Sequence, residues 1–379
     1  MKREGVIKGS LALSFSFIFL LGILSNVFAG LASEYKMFPV PEECMEQVRK
    51  EGSKLYIYDW AGWWPEEIYE GFEKEFGIDI VRDNFADMDE MFTKFKLHPE
   101  AKYDLTLPEP RVFMEMKKLG LLQKINWNWL PNVKRYLADR YKKSPIYEPG
   151  LPYGVPSEDS FLGYAYNPKF VDENDPRIGS WAFLFKGKEY AGKITMMNDM
   201  YNVIGTALQY LGYSYNSDNE EELMEAKALL VRLKPWVMAY DSWPKRLVLE
   251  EEAYVAQMWV GDALLVKEEL PDLKIVIPKE GSVTGADTLV IPKGAPHPAT
   301  AHLFINYLYR PHVYAKLIET IKYHPTHTKA VELLPEEIRK LPTVAIPKEV
   351  LDKCELIQPK AYTGKGKELR MKIWEELKR

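Results

Sequence analysis

The stretch "LYIYDWAGWWPEEIYEGFEKEFGIDI", residues 55–80, decides the fold. Residues 55–60 are rich in the aromatic and β-branched side chains that suit a pleated surface, and they read as a strand. Pro65 suits the start of a helix, and Glu66 and Glu67 complement the positive helix N-terminus. Ile68, Phe72 and Phe76 recur every four residues on one helical face, and Gly77 is placed to end it. Residues 78–82 then restart as a strand. Three tryptophans, Trp60, Trp63 and Trp64, gather where the first strand gives way to a loop. Indole rings usually hide in a core, so their place needs a reason.

Working outward, the same cycle repeats. A helix carries Met91, Phe92 and Phe95 inward, "YDLTLP" (residues 103–108) reads as a strand, and "EPRVFMEMKKLGLL" reads as a helix. Alternating strands and helices predict a mostly parallel sheet covered on both faces. Ligands in such sheets bind beyond the carboxyl ends of the strands, where Trp60 and Glu109 sit. Residues 145–160, rich in proline, glycine and tyrosine, read as a crossover into a second lobe that opens with "FLGYAYN" (residues 161–167). That lobe continues with a strand at 193–199, an amphipathic helix at 220–233, and a strand at 254–262 with Trp259 near its end. Residues 286–311 look like a return strand and helix, and the apolar stripe Leu369, Ile373 and Leu377 docks the tail. Trp64, Trp181 and Trp374 are assigned to packing.

The 379 residues, 46% hydrophobic and 28% charged, suffice for two packed cores. The first residues are a separate object. Lys2, Arg3 and Lys8 precede the apolar run 11–24, and Val27-Phe28-Ala29 offers small residues at −3 and −1. This pattern reads as a secretory signal peptide over residues 1–29, cleaved after Ala29. Its removal takes away Lys2, Arg3, Lys8 and Glu4, a net +2, and moves the formal charge from −5 to about −7. An acidic exported chain is a poor partner for nucleic acid. Two cysteines, Cys44 and Cys354, lie near the two ends of the mature chain. They either bridge, as neighbouring chain ends in an oxidising compartment permit, or stand as separate buried thiols.

Signs of catalysis are thin. The chain has no GxSxG elbow, no HExxH, no phosphate-binding GxxxxGK[ST], and no GxGxxG after a strand. His324 and His327 in "YHPTHT" lack a placed carboxylate or thiolate and read as loop residues, so neither a metal nor a cofactor is expected. Glu158-Asp159 has the composition of a glycosidase pair, but the carboxylate count is ordinary for this length. What stands out is ten tryptophans and 23 tyrosines, with rings and acids at strand ends. Flat aromatic faces cover methylene chains and attract cationic nitrogens, while carboxylates fix ammonium groups.

The blocks "LYIYDWAGWWPEEIYEGFEKEFGIDI", "YDLTLPEP", "LGLLQKIN", "GSWAFLF", "ALQYLGYS", "PKEGSVTGADTLVIP" and "INYLYRPHVYAKLIETIKY" follow one another as in bacterial spermidine/putrescine-binding periplasmic proteins. The chain resembles these receptors of polyamine ABC importers from about Lys54 to its C-terminus. The resemblance implies an α/β, two-lobed periplasmic-binding-protein type II fold with two crossover hinge segments. The lobes are expected at 53–160 plus 286–330 and at 161–285 plus 331–379. By position it implies ligand contacts from Trp60, Trp63, Trp259 and Tyr323, amine-holding carboxylates at Asp199 and Asp287, and a late glutamine contact at Gln358. It also implies a polyamine ligand, membrane permease subunits as partners, a monomer, and no catalytic residue.

The departures from the pattern matter as much. A family glutamate becomes Gly62, another becomes Asn202, and a pocket tryptophan becomes Gly285. Glu109 and Arg111 replace a serine and a tyrosine. Glu109 restores a carboxylate, and Asn202 keeps its place as a ligand contact. Arg111 is unfavourable beside a polycation unless an acid pairs with it. Two rivals follow: an amino-acid-like zwitterion held through Arg111 and Asp287 on the same fold, and a secreted carboxylate hydrolase.

Overall fold

The computed structural model describes residues 36–60, 62–85, 87–144, 146–147 and 150–379; the signal-peptide segment lies outside them. Residues from Val40 to the C-terminus form one compact unit. Among the described residues no helix is long and apolar enough to cross a membrane.

The opening stretch folds as its pattern predicts. Strand β1 (Lys54–Trp60) leads to the helix Glu66–Phe76, which buries Ile68, Tyr69 and Phe72. Gly77 ends that helix at φ +66°, and its N–H donates to the Glu73 carbonyl. The left-handed conformation there favours glycine. Strand β2 (Asp79–Phe85) runs parallel to β1 on one side, and β3 (Leu105–Thr106) runs parallel on the other. The sheet order is β2-β1-β3, so β1 is central and its carboxyl end carries Trp60 to the edge of the sheet. Helix Glu42–Glu51 closes this side. The Glu51 carboxylate accepts from the N–H groups of Ala299 and Thr300 and caps helix Pro298–Leu308.

Residues 155–160, in the segment read as a crossover, begin a 12-residue strand, β4 (Val155–Tyr166), that runs on into the segment expected to open the second lobe. A second sheet holds β5 (Ile194–Met196), β6 (Val237–Tyr240) and β7 (Val255–Trp259), with β5 parallel to both β6 and β7. The second half of β4 pairs antiparallel with β7 and with β8 (Lys274–Val276). Its first half pairs antiparallel with the return strand β9 (Val283–Leu289). Val290, just after β9, bridges Thr106 and so reaches the first sheet. β4 and β9 thus link the strands of the two sheets, and residues 160/161 and 285/286, the expected lobe boundaries, lie within these two strands. Short strands β10 (His324–Pro325) and β11 (Glu355–Leu356) complete the order β11-β9-β4-β7-β5-β6, with β10 and β8 on β4.

The cysteine bridge does not form. Both thiols are free and buried. The Cys44 thiol faces the Ala299 carbonyl, while Cys354 packs with Phe161 and Val260 and donates to the Val350 carbonyl. The chain ends pack against different parts of the molecule, which leaves the two sulfurs no common site. Burial, with Glu51 and Glu43 nearby, pushes the Cys44 thiol up to about 12.

Candidate functional site

A cavity of about 860 Å³ opens where the carboxyl ends of β1 and β7 face each other across β4 and β9. Each wall is built by a strand that stops. β1 ends at Trp60, whose indole packs on Phe85 with ring centres 4.6 Å apart. The turn that follows brings in Trp63, whose ring meets Tyr323 edge-on at 5.2 Å. β7 ends at Trp259, which is also the residue capping helix Val260–Glu269. Trp64 points away, 3% exposed, and stacks on Phe304. Two of the three clustered indoles thus line a cavity and the third fills the core.

Four carboxylates line the same space: Glu109, Asp199, Asp262 and Asp287. Glu109 precedes helix Pro110–Lys118 and pairs with Arg111 at 2.9 Å. Arg111 also reaches Asp89 at 3.2 Å. It is the one cation among the described lining residues, and two acids already neutralise it. Asp199 caps helix Met200–Tyr210 by accepting from the Asn202 N–H at 2.7 Å. Burial raises its pKa, opposed by that N–H and by Arg111. Burial likewise raises Glu109, with Arg111 opposing and Asp199 adding to the rise.

The other two acids have less company. Asp262, in the first turn of helix Val260–Glu269, has the Tyr323 hydroxyl 3.4 Å away, and burial lifts it to about 7. Asp287 lies within β9 and is pushed well above the carboxylate range by burial and by the neighbouring charges of Glu158, Glu109 and Asp159. Removing a carboxylate from water disfavours its charged form, so an empty cavity of this kind calls for cations.

Eight of the nine expected contact residues come together here: Trp60, Trp63, Glu109, Asp199, Asn202, Trp259, Asp287 and Tyr323. Asn202 is the weakest of them as a cation contact, because its side-chain oxygen already accepts from the Tyr215 hydroxyl at 3.0 Å. Gln358 is not among the lining residues. It sits at the start of the short helix Pro359–Tyr362, its N–H held by Asn216, and its neighbours Ile357 and Tyr362 reach the cavity instead. Asp262 escaped the sequence reading because residues 254–262 were expected to run as one strand. The strand stops at Trp259, and the following turn of helix swings Asp262 inward. The spacing "WVGD" was the available signal.

Two departures acquire physical reasons. A Cβ on Gly285 would lie 2.7 Å from Pro110 Cγ and 3.1 Å from Ile357 Cδ1. Those residues fill the place of the ring that the resemblance implied there. Gly62 sits at φ +67° with open space around it, a conformation in which glutamate would be strained. The histidines are occupied. His324 Nδ1 lies 2.8 Å from the Thr343 carbonyl, and His327 Nδ1 accepts from the N–H groups of Lys329 and Ala330.

The sequence pattern of the bacterial extracellular solute-binding proteins matches residues 67–346. The chain belongs to this family. It is 31% identical over 289 residues to the spermidine/putrescine-binding periplasmic protein of Escherichia coli K12, covering 76% of this chain and 82% of that one. The protein of the same name from Salmonella typhimurium is 32% identical over 285 residues, covering 75% and 80%. A solved spermidine/putrescine ABC transporter substrate-binding protein of Streptococcus pneumoniae superposes with a TM-score of 0.78 at 26% identity. It covers 86% of this chain and the whole of that one.

Proposed function

We propose that this protein is an exported receptor that captures a polyamine, putrescine or spermidine, and hands it to the membrane subunits of an ABC importer, with no chemistry of its own. One observation carries the reading. Four carboxylates and three indole faces line the cavity against one guanidinium, and that guanidinium is already paired twice. An alkylammonium chain is the complementary ligand: methylenes lie on the rings, and ammonium groups meet the acids. A zwitterion would need Arg111 for its carboxylate, and Asp89 and Glu109 already hold that group.

In this reading residues 1–29 direct export and are removed, and the mature chain works as a monomer. Residues 53–160 plus 286–330 and residues 161–285 plus 331–379 act as two lobes that close by bending at β4 and β9. Melting curves recorded with polyamines, amino acids and sugars test it. Spermidine or putrescine should raise the melting temperature in a concentration-dependent way while the others leave it unchanged. A shift with an amino acid or sugar and none with any polyamine would overturn the assignment.

A further inference from the structure

Glu158 and Asp159 are adjacent acids, both buried on β4, and they are treated very differently. Asp159 is fully engaged: the Tyr141 hydroxyl donates to it at 2.6 Å and the Thr284 hydroxyl donates to its other oxygen. Glu158, 1% exposed, accepts from the Trp63 indole N–H at 2.8 Å, with the Ser157 hydroxyl nearby, and its Oε2 is buried without a well-formed hydrogen bond. A buried carboxylate oxygen without a donor is costly, so its presence asks for an explanation.

The β4–β9 register supplies one. Pro156 faces Thr288 and Asp159 faces Ala286, so two residues of β4, Ser157 and Glu158, stand opposite the single residue Asp287. This is a β-bulge, a device that re-aims side chains beside functional sites. It puts Glu158 opposite Asp287 on the paired strands, with Asp287 on the cavity wall and the Glu158 charge acting on it. Among the described residues no cation acts on either acid. The charged neighbours acting on Asp287 are Glu158, Glu109 and Asp159. Tyr147, Tyr309, Tyr314 and Tyr323 face the pair as neutral phenols. Two like charges on facing strand positions, away from water, resist ionising together. Burial, offset in part by the Ser157 hydroxyl and the Trp63 N–H, lifts Glu158 to about 7.

We propose that Glu158 and Asp287 share one proton in the empty cleft, and that a ligand ammonium displaces it to solvent while Glu158 keeps Trp63 in place. Glu158 is then a positioning residue for Trp63 and sets the charge of the ammonium seat. The inference rests on the polyamine reading of the cleft. Its sign is definite. Aliphatic ammonium groups, with pKa values near ~10, stay protonated across neutral pH. The pair must lose its proton to receive an ammonium, so affinity should rise with pH, by up to about tenfold per unit, and level off only where the unliganded cleft has itself lost that proton.

The test is calorimetric titration of spermidine near neutral pH in buffers of different protonation enthalpy, which counts protons released per ligand bound. Asp262 also titrates near neutrality, so the decisive quantity is the difference between the parent and Glu158→Gln. Glutamine keeps an acceptor for the Trp63 N–H and cannot carry the shared proton. The parent should release more protons than Glu158→Gln, by a substantial fraction of one, and the same difference should persist in an Asp262→Asn background. A parent that binds spermidine with the same proton count as Glu158→Gln overturns the shared proton and leaves the receptor reading standing. A parent that binds no polyamine overturns both. Should Glu158→Gln fold poorly, the parent alone still decides: buffer-independent binding enthalpy in the Asp262→Asn background contradicts the proposal.

Discussion

Two pairs of acids in the cleft have opposite electrostatic company. Glu109 and Asp199 both feel the Arg111 guanidinium, and Asp199 also spends an oxygen on the Asn202 N–H. Among the described residues no cation acts on Asp262 or Asp287: Asp262 has the Tyr323 hydroxyl, and Asp287 has the Glu158, Glu109 and Asp159 carboxylates. Coulomb energy in a site partly closed to water scales with what remains uncompensated. The first pair is balanced by the protein itself. The second is a charge deficit that a ligand must fill.

That difference can be attacked from several sides. The largest effect should come from removing the uncompensated acids. The double variant Asp262→Asn/Asp287→Asn should lose about 4 kcal/mol or more of spermidine affinity, roughly 1000-fold, in a titration calorimeter. A loss under tenfold would assign the ligand's charge to Glu109 and Asp199 instead. Trp60→Ala should cost about 1–2 kcal/mol through lost stacking and cation–π attraction, read as a faster dissociation rate. Asp199→Asn should cost about 1 kcal/mol of affinity, because Arg111 already balances that acid. Asparagine caps a helix as well as aspartate, so its melting temperature should hold, whereas Asp199→Ala should also lose ~1 kcal/mol of stability. The smallest effect has the opposite sign. Arg111→Gln should tighten spermidine binding about threefold, as removing one half-buried, already paired cation should. Weaker binding in that variant would show that Arg111 holds the ligand rather than opposing it.

How much of this was legible beforehand depends on the scale of the signal. The strand–helix–strand cycle was readable because one helical face of Ile68, Phe72 and Phe76 and a glycine stop fix local geometry within a few residues. Trp60 and Trp259 reach the cavity from strand ends and Asp199 from a helix start, positions that periodicity marks. The first residues of β4, "VPSEDS", carry no strand pattern, and only pairing with β9, more than a hundred residues away, makes them strand. The bulge opposite Asp287 was invisible for the same reason, since register belongs to two segments at once. Asp262 depended on where β7 ends, three residues before the expected end. Gln358 lies outside the cavity lining and the two cysteines stand apart, because closeness along a family pattern, or at chain ends, does not determine which side chains point toward each other.

The account stands or falls on the charge asymmetry of the cleft, and one paired titration measures it. Spermidine is titrated into Asp287→Asn and Asp199→Asn under the same conditions as the parent. Asp287→Asn should lose at least about 30-fold in affinity, corresponding to the ~2–5 kcal/mol expected for an uncompensated acid facing an ammonium. Asp199→Asn should lose less than about tenfold. Equal losses, a larger loss at Asp199, or parent-like binding by Asp287→Asn would contradict it.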